Sequence, residues 1–579
     1  MVGVLVVIAV NLPAPAAAED LLTIVTSAPV VALDAPITIT GTLDAASPCA
    51  AGRLLELAWR RADAEDFAVV AQGSTASDGS YAFEQVPRFS GAYRVTAPAA
   101  GACAEVVSAA VRVRVRARVE SATFADRLAA GSCVAVAIRV EPGRPGQTVQ
   151  VQRREDGRWR TIEEPTLDAS SSAEARPCFG WEDIGVVRLR ARWPAQDPLN
   201  APATGPVMAF SIEPAGWMAR ILELVGHRDV SLSVGEAGSF LFGLAPEVPR
   251  TPASNEKLLL AMALLDAFGP GWRIRTLVAT DADPGPVLHG DLWILGRGDP
   301  EVDRGTMRAL ARRIVRAGVE RVEGRVLGAT AYFRRDWDAV GWSDVARAYV
   351  ARPTALTFEG NVDRRGRNVE DPEARAAAAL DRALEDLGVP VRGRPGSGDP
   401  PPGLRTLVSV AGRPLRRVLA RMLRPSDNFM AEVLGKRLGV AAAGPPGTIA
   451  KGAAAIAAWA RGNDVRIESY DASGLSYANR VTAEGLVRLL GEAETEPWGT
   501  ALFRALPSGG QGTLRHRLRT VRVRAKTGTL SGISALSGWV FLERLETWAE
   551  FSILSRGMPK VTASALEDRI VRILQNHAR

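Results

Sequence analysis

The pattern of apolar residues changes near residue 213, and this change divides the chain into two parts that must fold differently. Before it, short runs rich in β-branched and aromatic residues, such as residues 37–43 (ITITGTL), alternate with turns rich in Gly, Pro and Asp, as in all-β folds. After it, residues 217–226 (WMARILELVG) have helical periodicity, and longer segments rich in Ala, Leu and Arg follow. A chain of 579 residues exceeds one ordinary domain. The sequence therefore predicts a multidomain protein.

The first part contains two similar segments in tandem. Residues 54–70 (LLELAWRRADAEDFAVV) and 148–162 (TVQVQRREDGRWRTI) share one order: a strand ends in arginines, turns on acidic residues and returns with an aromatic residue. We predict two immunoglobulin-like β-sandwiches, at 19–117 and 118–212. Residues 111–119 (VRVRVRARV) alternate strictly, which predicts a half-buried strand at an edge or hinge.

The four cysteines all lie in the first third of the chain, at Cys49, Cys103, Cys133 and Cys178. Four cysteines allow three pairings. Their distribution over the two modules favours Cys49–Cys103 and Cys133–Cys178, one bond in each module. An even number of cysteines in an exported chain indicates disulfides rather than metal ligands.

The first 18 residues are predicted to be a signal peptide. They contain a short apolar run, Val2–Val10, followed by the small residues Ala16–Ala18. The run is too short to cross a bilayer, and no other stretch approaches the required length. The sequence thus predicts a secreted, extracytoplasmic protein without a membrane span.

Residues 213–579 are predicted to form an α+β domain. Helical patterns occupy 307–318, 374–388, 427–439 and 448–461, and residues 230–243 resemble a strand pair that turns at 235–238. The last residues are predicted to form a strand, a hairpin and a terminal helix. Helices at both ends of the domain with antiparallel strands between them are typical of an α+β layer arrangement.

Lysine is rare in this chain: only five of its 71 basic residues are lysines. One of them, Lys257, follows Ser254 by three positions, just after Pro252, a residue that favours a helix start. Arginine stays protonated, whereas a buried lysine can lose its proton and act as a base. Burial and the positive end of a helix would both lower the pKa of Lys257, which could then accept the proton of Ser254 as the hydroxyl attacks a carbonyl.

Three short motifs follow one another in the second part: Ser254-Asn-Glu-Lys257, Ser426-Asp-Asn428 and Lys526-Thr-Gly528. Alone, each motif is a weak indication of function, since Ser-Asp-Asn is commonly a helix N-cap and Lys-Thr-Gly is commonly a turn. Together and in this order they are typical of penicillin-binding proteins and class A β-lactamases. Lys526 ends an alternating strand and could bind a substrate carboxylate, and Gly528 would let the substrate approach the strand.

The chain resembles the D-alanyl-D-alanine carboxypeptidase/endopeptidases, also called class C low-molecular-mass penicillin-binding proteins, over residues 213–579. The resemblance includes blocks around and between the motifs: PASNEKLL, RGDPE at 297–301, SDNFMAEVLGK, DASGLSYANRVT at 471–482, LPSGGQGTLRHR at 506–517 and RAKTGTLSG. The 172 positions between Ser254 and Ser426 leave room for the inserted subdomain typical of this family, which we expect at about 275–405.

The resemblance implies a role for each motif residue. Ser254 would be the acylated nucleophile, Lys257 its general base, and Ser426 a proton relay toward the leaving amine. Asn428 would hold the substrate's peptide carbonyl and help to fix Lys257. Lys526, assisted by Thr527, would bind the terminal carboxylate or support the proton relay. The backbone N–H groups of Ser254 and Thr529 would form the oxyanion hole.

The resemblance also implies a substrate class and a location. The substrates would be peptidoglycan stem peptides ending in D-Ala-D-Ala, β-lactam antibiotics would acylate the enzyme, and the protein would be associated with the cell wall. No metal or organic cofactor is implied. The four histidines lie outside zinc-binding motifs.

Two other functions compete with a serine D,D-peptidase. A β-lactamase is disfavoured because no Glu-containing loop that would supply a deacylating base can be identified. A non-catalytic wall-binding protein with a degenerate peptidase scaffold is disfavoured because the motif lysines are intact in a chain that otherwise uses arginine. The net charge of +7 and pI of about 9.5 do not indicate nucleic-acid binding, since along the sequence the arginines form no basic cluster interleaved with aromatic residues.

Overall fold

A computed structural model describes residues 20–45, 48–236 and 239–578. The chain divides into two compact units, one up to Glu213 and the other from Pro214 onward. The predicted signal peptide, residues 1–18, lies outside the described residues. Within the described ranges, no helix combines the length and the apolar character that a membrane crossing requires.

The first half of the first unit consists of strands only. They are β1 Leu21–Leu22, β2 Val25–Thr26, β3 Val30–Ala32, β4 Ile37–Asp44, β5 Leu54–Arg61, β6 Ala68–Ser74, β7 Ser80–Gln85, β8 Gly91–Ala97, β9 Val106–Val107 and β10 Val111–Arg116. One sheet has the order β1-β4-β2 with β7 on β4, and the other has the order β3-β10-β8-β5-β6 with β9 on β8. Apolar side chains from both sheets, including Ile39, Leu57, Val95 and Val115, form one buried cluster.

The second half of this unit repeats the arrangement. Its strands are β11 Arg118–Thr123, β12 Arg127–Ala129, β13 Ser132–Cys133, β14 Val136–Glu141, β15 Gln150–Glu155, β16 Arg158–Glu163, β17 Ser172–Ala175, β18 Cys178–Phe179, β19 Gly185–Trp193, β20 Ala203–Thr204 and β21 Met208–Glu213. The order β12-β21-β19-β15-β16, with β20 on β19, matches β3-β10-β8-β5-β6, with β9 on β8, strand for strand. In each half the first two strands of this order pair in parallel. The first unit is therefore an all-β region built from two similar halves.

The alternating segment forms β10, in which Val113 and Val115 are buried and the arginines at 112, 114 and 116 are exposed. The half-buried character predicted from the sequence is confirmed. Of the two positions expected, an edge or a hinge, the edge is wrong, since β10 pairs with β3 on one side and with β8 on the other. Residues 111–119 run from β10, the last strand of the first half, into β11, the first strand of the second. A strand that faces solvent on one side of a sheet alternates in the same way at the edge and in the interior, so alternation does not distinguish the two.

Each half of the first unit contains one disulfide bond. Cys49 is bonded to Cys103, and Cys133 is bonded to Cys178. The second pair joins directly opposed residues of β13 and β18. The bonds close loops with sequence separations of 54 and 45 residues.

The second unit mixes helices and strands. They are α1 Gly216–Val225, β22 Val230–Glu236, β23 Ser239–Leu244, α2 Glu256–Phe268, β24 Arg273–Thr280, β25 Val287–Leu288, β26 Leu292–Leu295, α3 Arg304–Arg316, β27 Arg321–Val322, β28 Val326–Ala329, α4 Pro372–Glu385, β29 Gly396–Gly398, β30 Arg405–Pro414, α5 Leu415–Leu423, α6 Asn428–Ala443, α7 Ile449–Gly462, α8 Ala483–Thr495, α9 Gly499–Ala505, β31 Val523–Leu530, β32 Ile533–Leu542, β33 Thr547–Arg556 and α10 Lys560–His577. Its main sheet is antiparallel, with the order β23-β22-β33-β32-β31. The predicted α+β character is confirmed.

A second sheet has the order β29-β28-β26-β24-β30. Along the chain, its first strand is β24 and its last is β30. Its helices α3 and α4 contribute Leu310, Ile314, Leu380 and Leu384 to a separate hydrophobic cluster. The outer limits of this sheet, Arg273 and Pro414, lie outside the expected insertion at 275–405. The sheet separates α2 from α5 and α6 along the sequence, and these helices nevertheless pack together in one core.

Helix α2 is buried on every side, with all residues from Lys257 to Leu265 inaccessible to solvent. A helix that is apolar all round belongs in the centre of a domain. Around it pack α5, α6, α7 and α9. The position of α2 fixes the site, because the turn that precedes it carries Ser254.

Candidate active site

Ser254 lies in a single 3-10 turn, Ala253–Asn255, that leads directly into α2. The preceding Ala253 has a φ of +48°, a left-handed conformation that is unfavourable for a residue with a side chain. Asn255 anchors the turn to β32, since its Nδ2 donates to Ser537 Oγ at 2.7 Å. The turn is therefore held in an unfavourable conformation by its surroundings, as is common for residues at reactive sites.

Two glycines allow distant segments to close around this turn. A Cβ at Gly474 would lie 1.9 Å from the carbonyl oxygen of Ala253, and a Cβ at Gly528 would lie 2.6 Å from that of Pro252. Neither contact is tolerable for a side chain. The sequence predicts close approach of the substrate to Gly528, whereas the group that approaches it in the structure is the turn that carries Ser254.

Lys257 lies one turn further on, and its ammonium group has three hydrogen-bond acceptors. Its Nζ donates to Ser254 Oγ at 3.1 Å, to Asn428 Oδ1 at 2.7 Å and to the Ser473 carbonyl at 2.5 Å. Three acceptors use all three N–H groups of a protonated lysine. Once the proton has left, the lone pair of Nζ lies within hydrogen-bond distance of the Ser254 hydroxyl.

Burial lowers the pKa of Lys257 to about 8. Four carboxyl groups oppose this effect, in the order Asp471, Glu432, Asp427 and Glu256. A lysine with a pKa this close to neutral pH can exchange between its charged and its neutral form. The predicted lowering of the pKa has burial as its main cause, and the carboxylates keep it moderate.

Two of these carboxyl groups position the loop that contacts Lys257, and sequence reasoning assigned them no role. Asp471 is fully buried and accepts hydrogen bonds from the N–H groups of residues 474–476, from Asn479 and from Trp342. Glu432 Oε1 accepts from the N–H groups of Ala472 and Ser473 at 3.1 and 2.8 Å. Together they turn the Ser473 carbonyl toward Lys257. Two sequence features could have pointed to them. Asp471 stands in the block at 471–482, and Glu432 follows Asn428 by one helical turn.

The second motif begins α6. Asp427 caps the helix by accepting from the Met430 N–H at 2.9 Å, so the capping function expected for this motif is present. Asn428 is fixed at both ends of its amide, because its Nδ2 donates to the Tyr349 carbonyl at 3.0 Å while its Oδ1 accepts from Lys257. Ser426 has a φ of +65°, which makes it the second non-glycine residue of the site in the left-handed region.

Lys526 is fully buried on β31. Its Nζ donates to Ser426 Oγ and to the Thr527 carbonyl, both at 2.7 Å. Burial lowers the pKa of Lys526 well below its ordinary value, and the positive charges of Lys257 and Lys560 lower it further by smaller amounts. The third motif is therefore joined to the second through a buried lysine whose pKa lies well below its ordinary value.

The remaining residues of the third motif divide between interior and surface. The Thr527 hydroxyl donates to Thr513 Oγ1 at 2.8 Å, and Thr529 is exposed. Thr513 belongs to the block at 506–517 and was not predicted as a site residue. It brings a second hydroxyl to the motif.

The described residues contain no group of three or more His, Cys, Asp or Glu side chains that could hold a metal ion. The assembled groups instead comprise one hydroxyl next to a lysine of lowered pKa and a second serine–lysine pair. Such an arrangement can carry out nucleophilic acyl transfer with proton transfer between side chains.

Comparisons with known proteins agree with this chemistry. The model of the D-Ala-D-Ala carboxypeptidase 3 (S13) family matches residues 236–364 and 360–577. A D-alanyl-D-alanine carboxypeptidase of Actinomadura sp. (strain R39) is 29% identical, with 56% of this chain and 77% of the relative covered. A carboxypeptidase DacB of Mycolicibacterium smegmatis is 27% identical, with coverage of 66% and 89%.

Among solved structures, penicillin-binding protein 4 of Haemophilus influenzae has a similar fold. Its TM-score is 0.56 at 18% identity, and the match covers 63% of this chain and all of that one. A second structure of the same protein contains a β-lactam, with a TM-score of 0.50 at 18% identity and coverage of 62% and 100%. Since the family model spans more than half of the chain and contains all three motifs, the chain belongs to the D-Ala-D-Ala carboxypeptidase 3 (S13) family.

Proposed function

We propose that this D-Ala-D-Ala carboxypeptidase, a serine hydrolase, works through an acyl-enzyme on Ser254. The observation that carries the proposal is the 3.1 Å hydrogen bond between Ser254 Oγ and Lys257 Nζ, with a pKa of about 8 for the lysine. A base whose pKa lies near the operating pH combines availability with driving force for proton transfer.

Acylation begins when neutral Lys257 takes the proton of Ser254. The oxygen attacks the carbonyl carbon of the scissile bond, and a C–O bond forms while the carbonyl oxygen becomes an oxyanion. The N–H groups of Ser254 and Thr529 stabilise this oxyanion. Its collapse breaks the C–N bond, and the leaving D-Ala amine gains a proton. In hydrolysis Lys257, neutral again once its proton has passed to the amine, takes a proton from water as the water oxygen attacks the ester carbon. The bond to Ser254 Oγ then breaks, Ser254 regains the proton, and the shortened peptide leaves with a new carboxyl group.

The proton reaches the leaving amine through Ser426. The hydrogen bond from Lys526 Nζ to Ser426 Oγ and the lowered pKa of this lysine support such a relay. The same two facts favour the relay over a permanent cationic anchor. The hydroxyls of Thr527 and Thr513 lie 2.8 Å apart and supply donors for the terminal carboxylate. Asn428 holds the peptide carbonyl.

The substrates are peptidoglycan stem peptides that end in D-Ala-D-Ala, and β-lactams acylate the same serine. The family's activity and the β-lactam complex of the Haemophilus protein support both assignments.

Two disulfide bonds support an extracytoplasmic location, because such bonds persist in oxidising compartments. In the first unit, the two halves have matching strand orders, which supports two immunoglobulin-like β-sandwiches.

Labelling with a fluorescent penicillin tests the proposal. We expect a long-lived adduct, mapped to Ser254 by mass spectrometry, and release of D-Ala from a D-Ala-D-Ala peptide. Ser254→Ala should abolish both. Rapid turnover of penicillin would indicate a β-lactamase, no reaction would indicate a wall-binding protein, and an adduct on another serine would refute the assignment. Release of monomers from cross-linked stem peptides measures endopeptidase activity in the same preparation.

A further inference from the structure

Helix α5 presents a row of arginines at the surface of the second unit. Its apolar residues, including Leu415, Leu419 and Met422, are buried. The opposite side borders a groove of about 720 Å³ whose lining includes Arg413, Arg417, Arg421 and Arg424. The sequence already places five arginines within residues 413–424.

A second groove, of about 640 Å³, continues the first, because both are lined by Arg417, Ala420 and Arg424. It adds Arg416 of α5, Arg504 of α9 and Arg524 of β31. We call the two together the arginine groove. Among the described residues that line it, seven are arginines and Asp427 is the one carboxylate.

Few of these charges are neutralised. Glu301 pairs with Arg421 at 2.5 Å and more loosely with Arg413 at 3.9 Å. The other five arginines make no ion pair within the described part of the chain. Guanidinium groups that line the same groove repel one another, and a bound anionic polymer would offset this repulsion.

The arginine groove reaches the catalytic motifs. Its lining includes Pro425 and Asp427, which flank Ser426 in the sequence. The Arg424 carbonyl accepts from the N–H of Thr513 at 3.0 Å, and the Thr513 hydroxyl accepts from Thr527. A polymer that lies in the groove therefore passes beside the second motif.

We propose that the arginine groove binds the free carboxylates of a second stem peptide, next to the one being cleaved, in polymeric peptidoglycan. The guanidinium group matches a carboxylate with two parallel hydrogen bonds. This inference rests on the proposed peptidase function and adds to it a preference for polymeric over short substrates. The preference decreases as salt concentration rises, because exposed charges are screened.

The test compares kcat/KM for D-Ala release from a short acylated D-Ala-D-Ala peptide and from peptidoglycan freed of phosphate-containing polymers. The variant is Arg417→Gln/Arg504→Gln, since neither side chain has an ion pair among the described residues. The matched control is Arg308→Gln/Arg312→Gln, two exposed arginines of α3. We expect an about ten-fold loss on peptidoglycan for the groove variant, little change on the short peptide, and partial recovery in Arg417→Lys/Arg504→Lys. At 0.5 M NaCl the difference should vanish.

Three outcomes would overturn the inference. The groove variant could be as active as wild type on peptidoglycan, or the control variant could lose as much activity as the groove variant. The groove variant could also lose activity only on peptidoglycan that still carries phosphate-containing polymers, and not on peptidoglycan freed of them. The last result would assign the groove to a phosphodiester polymer. A wild-type protein that neither releases D-Ala from the short peptide nor reacts with penicillin would refute the proposed function itself. The short-peptide measurement thus separates the two failures.

Discussion

Lys257 and Lys526 are the same residue type, equally buried, and yet their surroundings are opposite. Four carboxyl groups raise the pKa of Lys257 against the effect of burial, whereas two lysines lower that of Lys526 further. Burial gives both shifts their direction, and the neighbouring charges decide their size. Lys257 thus keeps a pKa of about 8 and can gain and lose a proton near neutral pH, while at Lys526 burial and the neighbouring charges both lower the pKa.

The largest effect is expected from Lys257→Arg, because arginine keeps the charge but cannot give up its proton. Loss of a general base lowers a rate by about 10³-fold, and Lys257→Ala should be similarly inactive. Penicillin acylation rates and D-Ala release measure it. Lys451→Arg is the control, since this lysine only donates to carbonyl groups at the end of α6. Substantial acylation by Lys257→Arg would mean that the lysine acts as a cation and that the base lies elsewhere.

A smaller loss, of about 10²-fold, is expected from Lys526→Arg. A guanidinium would impose a permanent charge on a buried site whose charged neighbours are Lys257 and Lys560, and it could not relay a proton from Ser426. Acylation by penicillin and cleavage of the peptide should fall together. If kcat and the maximal acylation rate stay near wild type and only the affinity for these two carboxylate-bearing substrates falls, Lys526 is a cationic anchor, and the contrast between the two lysines has no catalytic meaning.

The pH dependence of acylation tests the surroundings of Lys257 with an effect of only a few-fold. The base acts in its neutral form, so the acylation rate should rise with pH through about 8. Glu432 raises the pKa of Lys257, so Glu432→Gln should lower that pKa and shift the profile to lower pH. The amide oxygen can still accept from the N–H groups of Ala472 and Ser473. An unchanged midpoint would show that Glu432 does not act on this lysine.

The smallest effect on acylation is expected from the first unit. Cys49→Ser/Cys103→Ser removes a loop closure of 54 residues, which should reduce the free energy of unfolding of this unit by at most about 4 kcal/mol. Acylation should be unchanged, because every residue assigned to chemistry lies beyond residue 213. Thermal unfolding and penicillin labelling of the same sample measure both quantities. A variant that unfolds earlier and also acylates slowly would show that the first unit supports the site.

The sequence predicted the members of the site better than their environment. Ser254, Lys257, Ser426, Asn428 and Lys526 stand in short motifs whose residue types indicate their chemistry. In the fold they form two hydrogen-bonded groups, Lys257 with Ser254 and Asn428, and Lys526 with Ser426. The third acceptor of Lys257 is a backbone carbonyl, which any residue type supplies, so no pattern of side chains could indicate Ser473.

Charge environments were similarly hidden. Glu432 and Asp471 act on Lys257 only because α6 and the loop at 471–476 meet beside α2. Five arginines of the groove are neighbours in sequence, at 413–424, but only folding adds Arg504 of α9 and Arg524 of β31 to them. Spacing along the sequence gives local geometry such as the turn between Ser254 and Lys257, whereas electrostatic neighbours depend on packing between segments far apart in the sequence.

The two glycine contacts around the Ser254 turn have a consequence for how activity arises in time. The turn is enclosed by Gly474, more than two hundred residues later, and by Gly528 near the end of the domain. During synthesis Ser254 therefore emerges long before the segments that enclose its turn, and under the proposed mechanism we expect it to act as a nucleophile only when β31 has closed over the turn. Covalent labelling by penicillin thus reports completed folding of the whole domain, and a chain truncated before β31 would carry its serine and lysine without reacting.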